Sequence, residues 1–209
     1  MARVCSVIAI AALAAAAHAQ PNIQSGFDTT ANWSFLGLNT AGSSGFVASN
    51  NGNPGGYADL QPILDGTGIR GGAGLWQTFP AFTVDPSWTD VVLSCDYRYF
   101  SGPTVILVPF FWQQQLAFYT PSSSFTLDTS TAWHSLGTMD FPLSTFHTSQ
   151  GASIDPHFLT QIGFMAILQS STPTTVTAHI GIDNLNLQVI PTPAAGALLF
   201  AGLLIRRRR

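Results

Sequence analysis

Carboxylates are the residues of this chain best suited to acid–base or metal chemistry, and all ten of them are aspartates. Hydrolysis of a glycosidic bond needs two carboxyl groups held across a cleft. Ten scattered aspartates permit such a pair without indicating one. Gly-x-Ser-x-Gly, His-Glu-x-x-His and Cys-x-x-Cys motifs are all absent from the sequence. The sequence therefore predicts no catalytic residues. Four histidines lack metal-ligand spacing: His134, His147, His157 and His179.

One glycine-rich stretch spells a nucleotide-binding fingerprint. Gly66, Gly68 and Gly71 fall at the G-x-G-x-x-G spacing. That fingerprint binds a dinucleotide only when a strand precedes it and a helix follows it. Here the residues around Trp76 have the pattern of a strand. We therefore interpret Gly66–Gly74 as a flexible loop and not as a nucleotide site.

Aromatic side chains offer a second kind of chemistry, because the apolar face of a sugar ring stacks on an exposed indole or phenol. The chain contains five tryptophans. We expect Trp88, which follows a turn-forming Asp-Pro-Ser, and Trp112, beside a hairpin tip, to be exposed. These two are the predicted ligand-binding residues. We expect Trp33, Trp76 and Trp133 to pack in the core.

The periodicity of the sequence predicts strands as the scaffold for these side chains. In Asp90–Ser101 the odd positions are apolar or aromatic, whereas Ser94, Asp96 and Arg98 fall on the other face. A period of two indicates a half-buried strand, with Cys95 on its buried face. No stretch of ten residues shows helical periodicity, so we predict an all-β fold, a single β-sandwich. Further strands are predicted at Leu75–Phe82, Val105–Trp112, Leu116–Thr120, Trp133–Met139 and Gln161–Gln169.

The last predicted strand changes phase partway along. Apolar residues occupy even positions from Val176 to Ile182 and odd positions from Leu185 to Val189. A strand that keeps one face buried must absorb such a slip in a bulge. We therefore predict a β-bulge at Asp183 and Asn184.

The first nineteen residues have the organisation of a secretory signal peptide. Arg3 precedes an apolar run from Val7 to Ala17, and Ala17-His18-Ala19 matches the small-residue pattern of a cleavage site. We assign residues 1–19 to a signal peptide and 20–190 to one domain, and we expect the protein to be exported.

Charge and cysteine content limit the partners of this domain. Residues 20–190 contain ten Asp and two Arg, a net charge of −8 with histidine neutral. Such an acidic domain repels phosphate backbones, so nucleic acid is not an expected partner. Cys95 is the only cysteine after the signal peptide and has no internal disulfide partner. The fold must therefore depend on its core or on a metal.

The last nineteen residues form a separate segment. Twelve apolar residues, Ala194–Ile205, precede four arginines. As a helix they reach about 18 Å, which is short of the roughly 30 Å of a bilayer core. Arginines resist translocation, so residues 191–209 are expected to hold the exported domain weakly at the membrane. Such a tail serves either as a sorting signal or, as the alternative, as a plain C-terminal anchor.

This tail resembles the PEP-CTERM sorting signal of bacterial envelope proteins. The resemblance lies in Val189–Pro193, the short apolar helix and the arginine cluster, with Thr192 where the family has Glu. It implies recognition by exosortase-like machinery in the inner membrane and cleavage before release. The expected location is an inner-membrane-tethered precursor, and then the cell envelope or the extracellular space.

The body resembles laminin-B-like domains, which are similar to galactose-binding-like jelly rolls and carbohydrate-binding modules. The matching segments occur in the same order: GFDTTANW, GNPGGYADL, WQTFPAFTVDPSWTDVVLSCDYRYFSG and IGIDNLNL. Together they span most of Phe27–Leu187. The resemblance implies a jelly-roll sandwich and, by analogy of fold alone, sugar binding.

In such jelly rolls an early acidic residue and the Asp of the last strand often share a calcium ion. The corresponding residues here are Asp28 and Asp183, with Asp28 in place of the more usual Glu. We predict a structural Ca²⁺ at these two residues, with backbone carbonyls and Asn184 or Thr29 completing the six to eight oxygen ligands. The alternative is that Asp183 only hydrogen-bonds the adjacent turn.

These observations favour an exported envelope or matrix protein without catalytic activity. Its expected role is adhesion or structural interaction, with polysaccharide as a candidate partner. A carbohydrate-active enzyme, or an accessory binding module of one, is the alternative function.

Overall fold

The computed structural model describes residues 22–29, 32–38, 42–66, 70–82, 88–113, 117–154, 159–169 and 174–191. The predicted signal peptide and all but the first residue of the predicted tail lie outside these ranges. Within them, no helix is both long enough and apolar enough to cross a membrane.

The described residues form fifteen strands and one short 3₁₀ helix at Leu143–Thr145. The first eight strands are β1 (Asn22–Ser25), β2 (Ser34–Leu38), β3 (Ser44–Ala48), β4 (Tyr57–Gln61), β5 (Ile63–Asp65), β6 (Arg70–Phe82), β7 (Trp88–Ser101) and β8 (Ile106–Gln113). The others are β9 (Ala117–Pro121), β10 (Phe125–Thr126), β11 (His134–Pro142), β12 (Phe146–His147), β13 (Leu159–Gln169), β14 (Thr175–Thr177) and β15 (His179–Pro191).

Two antiparallel sheets account for most of these strands. The six-stranded sheet has the order β11-β7-β15-β4-β3, with β1 also paired to β15. The seven-stranded sheet has the order β12-β9-β8-β13-β6-β2, with β10 also paired to β8. The chain passes repeatedly from one sheet to the other. This confirms the prediction of an all-β jelly-roll sandwich.

The core lies between the facing surfaces of the two sheets. Along β7 the odd-numbered side chains from Val91 to Tyr99 are buried, as the period of two predicted. Cys95 is among them and is 3% exposed. Phe111, Phe164 and Leu75 face them from the seven-stranded sheet. Burial of these apolar surfaces is the main source of stability in a domain whose one described cysteine is free.

The glycine-rich stretch before Trp76 differs from its prediction. We expected a loop at Gly66–Gly74, but β6 already begins at Arg70. Gly72 and Gly74 lie within the sheet, where Cβ atoms would approach Met165 Sδ at 2.8 Å and the backbone oxygen of Phe164 at 2.6 Å, respectively. The glycines therefore make room for a side chain and for the backbone of the neighbouring strand, which is a packing role.

The phase change in the last strand produces the predicted bulge. Pairing between β15 and β7 shifts register between Asp183 and Asn186, and Asn184 has a φ of 48°. Ile182 before the bulge and Leu185 after it are both buried. The bulge therefore keeps the apolar side chains of β15 on the core side.

Candidate functional site

The outer face of the seven-stranded sheet is apolar, although it lies away from the core. Side chains that alternate with the core residues form a second cluster there, comprising Val108, Phe110, Met165 and Ile167. Six partly buried residues pack against this cluster: Leu36, Leu38, Trp76, Ile106, Trp112 and Phe118. An outer sheet face that faces only water is normally polar. The four cluster residues are themselves buried, so a ligand on this face would contact the partly buried residues that pack over them.

A groove with a volume of about 730 Å³ crosses this face, which is within the size range of ligand sites. Its apolar lining includes Leu38, Ile167, Trp112 and Phe118. The polar lining combines amide and hydroxyl side chains with one cation: Gln113, Thr120, Thr148, Ser149, Gln150 and Arg70. We call this surface the groove.

Aromatic rings concentrate at one end of the groove. Trp76 and Trp112 pack edge to face, with ring centroids 5.7 Å apart, and Phe118 packs against Phe110 at 4.9 Å. Trp76 Nε1 and Gln161 Oε1, on the same sheet face, are buried without a hydrogen-bond partner among the described residues, and neither residue lines the groove. Buried polar atoms are usually paired, so these two are exceptions.

The two predicted ligand-binding residues, Trp88 and Trp112, lie in different environments. Trp112 is half-buried and lines the groove. Trp88 is only 8% exposed and packs in the core, so the expectation that it is exposed is wrong. The even positions of β7 otherwise face outward, but the register of β7 against β15 shifts between Ile190 and Pro191, and Trp88 beside this shift packs in the core. A buried ring has no free face for a sugar.

Two of the remaining tryptophans do not pack in the core, where we expected them. Trp76 belongs to the outer face, so the expectation that it packs in the core is wrong. Trp133 packs against Tyr57 on the outer side of the six-stranded sheet, with centroids 5.9 Å apart. Trp33 behaves as expected and contacts Phe27 and Phe164 of the core.

The predicted calcium residues meet at the bulge. A Cβ built on Gly26 would lie 3.5 Å from Asp28 Oδ2 and 3.9 Å from Asp183 Oδ1, so both carboxylates flank this glycine. Asp96 of β7 is directly opposite Asp183 in the sheet. The three carboxylates, which we call the Asp183 cluster, surround the loop that contains Asn53.

Hydrogen bonds from the protein already engage the Asp183 cluster. Asp183 accepts backbone N–H groups from Asn53 and from Asn184, the latter at 2.7 Å. Asp28 Oδ1 accepts the N–H of Gly56 at 3.2 Å. The Asn184 side chain donates to Asp96 Oδ2 at 2.7 Å. The turn-bonding alternative for Asp183 is therefore present in the structure.

Burial raises the pKa of Asp183 above its ordinary value, and the charges of Asp96 and Asp28 act in the same direction. The N–H groups of Asn53 and Asn184 oppose the rise. None of the three carboxylates forms an ion pair within the described residues. In that part of the chain, no group of three or more His, Cys, Asp or Glu has the arrangement of a metal site. Calcium at Asp28 and Asp183 stays a prediction.

The outer side of the six-stranded sheet also contains a buried polar network. Asp59, which is 4% exposed, accepts the hydroxyl of Tyr57 at 3.0 Å and the amide of Gln61 at 3.2 Å. Its Oδ2 lies 2.8 Å from Nε2 of His179. Burial, followed by the charge of Asp59, raises the pKa of Tyr57 to about 12. Tyr57 and Gln61 lie on β4 with Asp59, whereas His179 lies on β15, and all three contact the one carboxylate. The network is therefore suited to holding β4 and β15 together.

No protein-family model and no curated protein sequence matches this chain. In fold it is similar to the family 11 carbohydrate-binding module of the cellulosomal cellulase Lic26A-Cel5E of Clostridium thermocellum. Identity is 14% over 81% of this chain and 95% of that one, with a TM-score of 0.49. It is also similar to a carbohydrate-binding module of family 28 described as specific for non-crystalline cellulose. There the identity is 7%, the coverage is 77% and 91%, and the TM-score is 0.47. At these values, function has to be inferred from the residues of this chain.

Proposed function

We propose that this protein binds a polysaccharide chain in the groove and does not cleave it. The observation that carries the proposal is an apolar outer sheet face on which Trp112 and Phe118 lie beside amide and hydroxyl side chains. A pyranose ring has apolar faces and polar edges. Aromatic rings match its faces, and side chains such as Gln113 and Thr120 match its hydroxyl groups.

The composition of the groove favours binding over hydrolysis. Glycoside hydrolysis uses a pair of carboxyl groups at the scissile bond. Among the described residues that line the groove there is no Asp, Glu or His. An accessory module of an enzyme would bind sugar in the same groove, so binding does not distinguish this alternative from the proposed function. The enzyme alternative is therefore tested by measuring activity.

Affinity electrophoresis of the full chain tests the proposal. Native gels that contain soluble polysaccharides, neutral and acidic, should retard the protein relative to a polysaccharide-free gel. The same mixtures should release no reducing ends. Unchanged mobility in every gel contradicts polysaccharide binding, and release of reducing ends supports the enzyme alternative.

We further propose that the protein acts outside the cytoplasm, in the cell envelope or the extracellular matrix. The support is the signal-like residues 1–19 and the PEP-CTERM-like residues 191–209. In this proposal an exosortase-like enzyme removes the tail after export. Mass spectrometry of surface-extracted protein tests it, and an intact C-terminal peptide that includes Arg209 would contradict removal.

A further inference from the structure

Charge is divided unequally between the two sheets. The strands of the six-stranded sheet contain five aspartates, all on its outer face: Asp59, Asp90, Asp96, Asp140 and Asp183. The seven strands of the other sheet contain no carboxylate, and Arg70 is their one arginine or lysine. Among the described residues, none of those that line the groove is a carboxylate, in a domain with a net charge of −8.

Arg70 is the charged residue of the groove. It opens β6, lies opposite Gln169 of β13 and is exposed. Within the described part of the chain, no carboxylate pairs with it, because the one ion pair there joins His179 to Asp59. A guanidinium group has five N–H donors, which suits it to binding an anionic group of a ligand.

The arginine and the aromatic rings mark the two ends of one surface. Arg70 and Trp76 are six residues apart on the same face of β6, which corresponds to about 20 Å along the strand. Both Arg70 and Trp112 line the groove. A glycan that follows the strand direction and stacks on Trp112 therefore extends toward the guanidinium.

We propose that the groove selects anionic polysaccharides, whose carboxylate or sulfate groups bind Arg70. This inference rests on the proposed polysaccharide binding and adds the ligand class to it. Arginine can bind two oxygens of one carboxylate or sulfate group through two parallel N–H donors, and the groove contains no described carboxylate that would repel such a group. The acidic outer face lies across both sheets, which are spaced about 10 Å apart. These carboxylates therefore do not line the groove, and their repulsion of an anionic ligand falls further as the salt concentration increases.

Matched polymers test the charge of the ligand. Polygalacturonate, alginate and dextran sulfate are each compared with a neutral counterpart, namely the methyl ester, the propylene glycol ester and unmodified dextran. We expect the full chain to be retained more strongly by at least one acidic polymer than by its counterpart. We also expect that difference to shrink as salt increases, because the ion pair is exposed.

Arginine variants assign the effect to one residue. Arg70→Gln should weaken binding of the acidic polymer about threefold to fivefold, as expected for an exposed ion pair, and Arg70→Lys should recover part of it. Arg98→Gln removes the same charge from the opposite face and should leave binding unchanged. Circular dichroism checks that each variant is folded.

The outcomes separate this inference from the proposed function. Equal or stronger retention by the neutral polymers overturns anionic selection while polysaccharide binding stands. Acidic binding that is unaffected by Arg70→Gln overturns the role of Arg70. No retention by any polymer overturns both proposals.

Discussion

Trp76 and Trp112 meet edge to face on the outer side of the seven-stranded sheet, with ring planes at 88°. Their strands, β6 and β8, are separated by β13. Gly163 of β13 pairs with Trp76 on one side and with Phe110 on the other, and a Cβ at that position would come within 2.7 Å of Phe110 Cζ and 2.8 Å of Trp76 Cβ. The absence of a side chain at Gly163 leaves room for the side chains of Trp76 and Phe110. The contact with Trp76 holds Trp112 in one orientation, which lowers the entropy cost of binding a ligand.

Replacing Trp112 should weaken polysaccharide binding. Trp112→Ala removes ring surface from the groove, and loss of a stacked aromatic is expected to cost about 1–2 kcal/mol of binding free energy, or roughly tenfold in affinity. Affinity electrophoresis of the full chain measures the loss. Phe46→Ala is the matched control, because Phe46 is 52% exposed but lies on the other sheet. Equal losses in the two variants would contradict a specific role for Trp112.

Replacing Trp88 should damage the fold and not the binding site directly. Trp88 packs in the core, so Trp88→Ala should leave a cavity and lower the free energy of unfolding by about 3–5 kcal/mol. Urea denaturation followed by fluorescence or circular dichroism measures this. Trp112→Ala serves as the comparison, with a smaller cost of about 1 kcal/mol for its contact with Trp76. A Trp88→Ala protein as stable as the parent would show that this burial is unimportant.

Local periodicity predicted the strands that are apolar on one face. In β7 the buried odd positions and the polar Ser94, Asp96 and Arg98 made both the strand and its orientation readable. In β8 that contrast is absent, because five consecutive residues from Leu107 to Phe111 are buried. With both faces apolar, a period of two cannot say which side is the core. The apolar outer face, and Trp76 on it, were therefore missed.

Contacts between distant residues were only partly predictable. The phase slip in β15 indicated where Asp183 lies, and Asp28 was expected beside it. The third carboxylate, Asp96, was not expected, because only the register of β15 against β7 places it opposite Asp183. Trp88 was misplaced for the same reason, since its pairing with Pro191 spans about half the chain. The turn-forming residues before Trp88 indicate the local backbone conformation, but they do not indicate what the Trp88 side chain packs against.

Two buried tyrosines should make the fold sensitive to alkali. Burial raises the pKa values of Tyr57 and Tyr99 to about 12, from an ordinary value of 10.0. The neutral phenol is therefore favoured in the folded state. Its contribution to stability is complete below about pH 10 and is lost as the pH rises toward 12. Tyr99→Phe should make this decline of unfolding free energy shallower.

The same two tyrosines should differ at neutral pH. The hydroxyl of Tyr99 is buried without a partner in the described structure, so Tyr99→Phe should be neutral or slightly stabilising. Tyr57 donates to Asp59, so Tyr57→Phe should cost about 1 kcal/mol. Urea denaturation at pH 7 and across pH 9–12 measures both effects. A pH profile unchanged by Tyr99→Phe would contradict the raised pKa as a source of alkaline instability.

Calcium should stabilise the fold through the Asp183 cluster. A cation that binds only the folded state, at a hundred times its dissociation constant, adds about 2.7 kcal/mol. For a domain of this size that raises the Tm by about 5–10 °C. Thermal melting of the full chain with calcium and with EDTA measures the difference. Asp28→Asn keeps an acceptor for the N–H of Gly56 but removes a ligand charge, so it should lose most of the response.

The response to calcium should itself depend on pH. The pKa of Asp183 is raised in the folded state, chiefly by burial, so the folded state favours the neutral carboxyl group. The neutral carboxyl group therefore contributes to folding stability in full at a pH below its pKa in the unfolded state. That stability is lost as the pH rises through the folded pKa. Calcium needs the ionised carboxylate, so its stabilising effect should appear over the same rise and vanish in acid. Asp140→Asn removes an exposed carboxylate of β11 outside the cluster and should respond like the parent chain. Equal melting temperatures of the parent in calcium and in EDTA at neutral pH would refute the site.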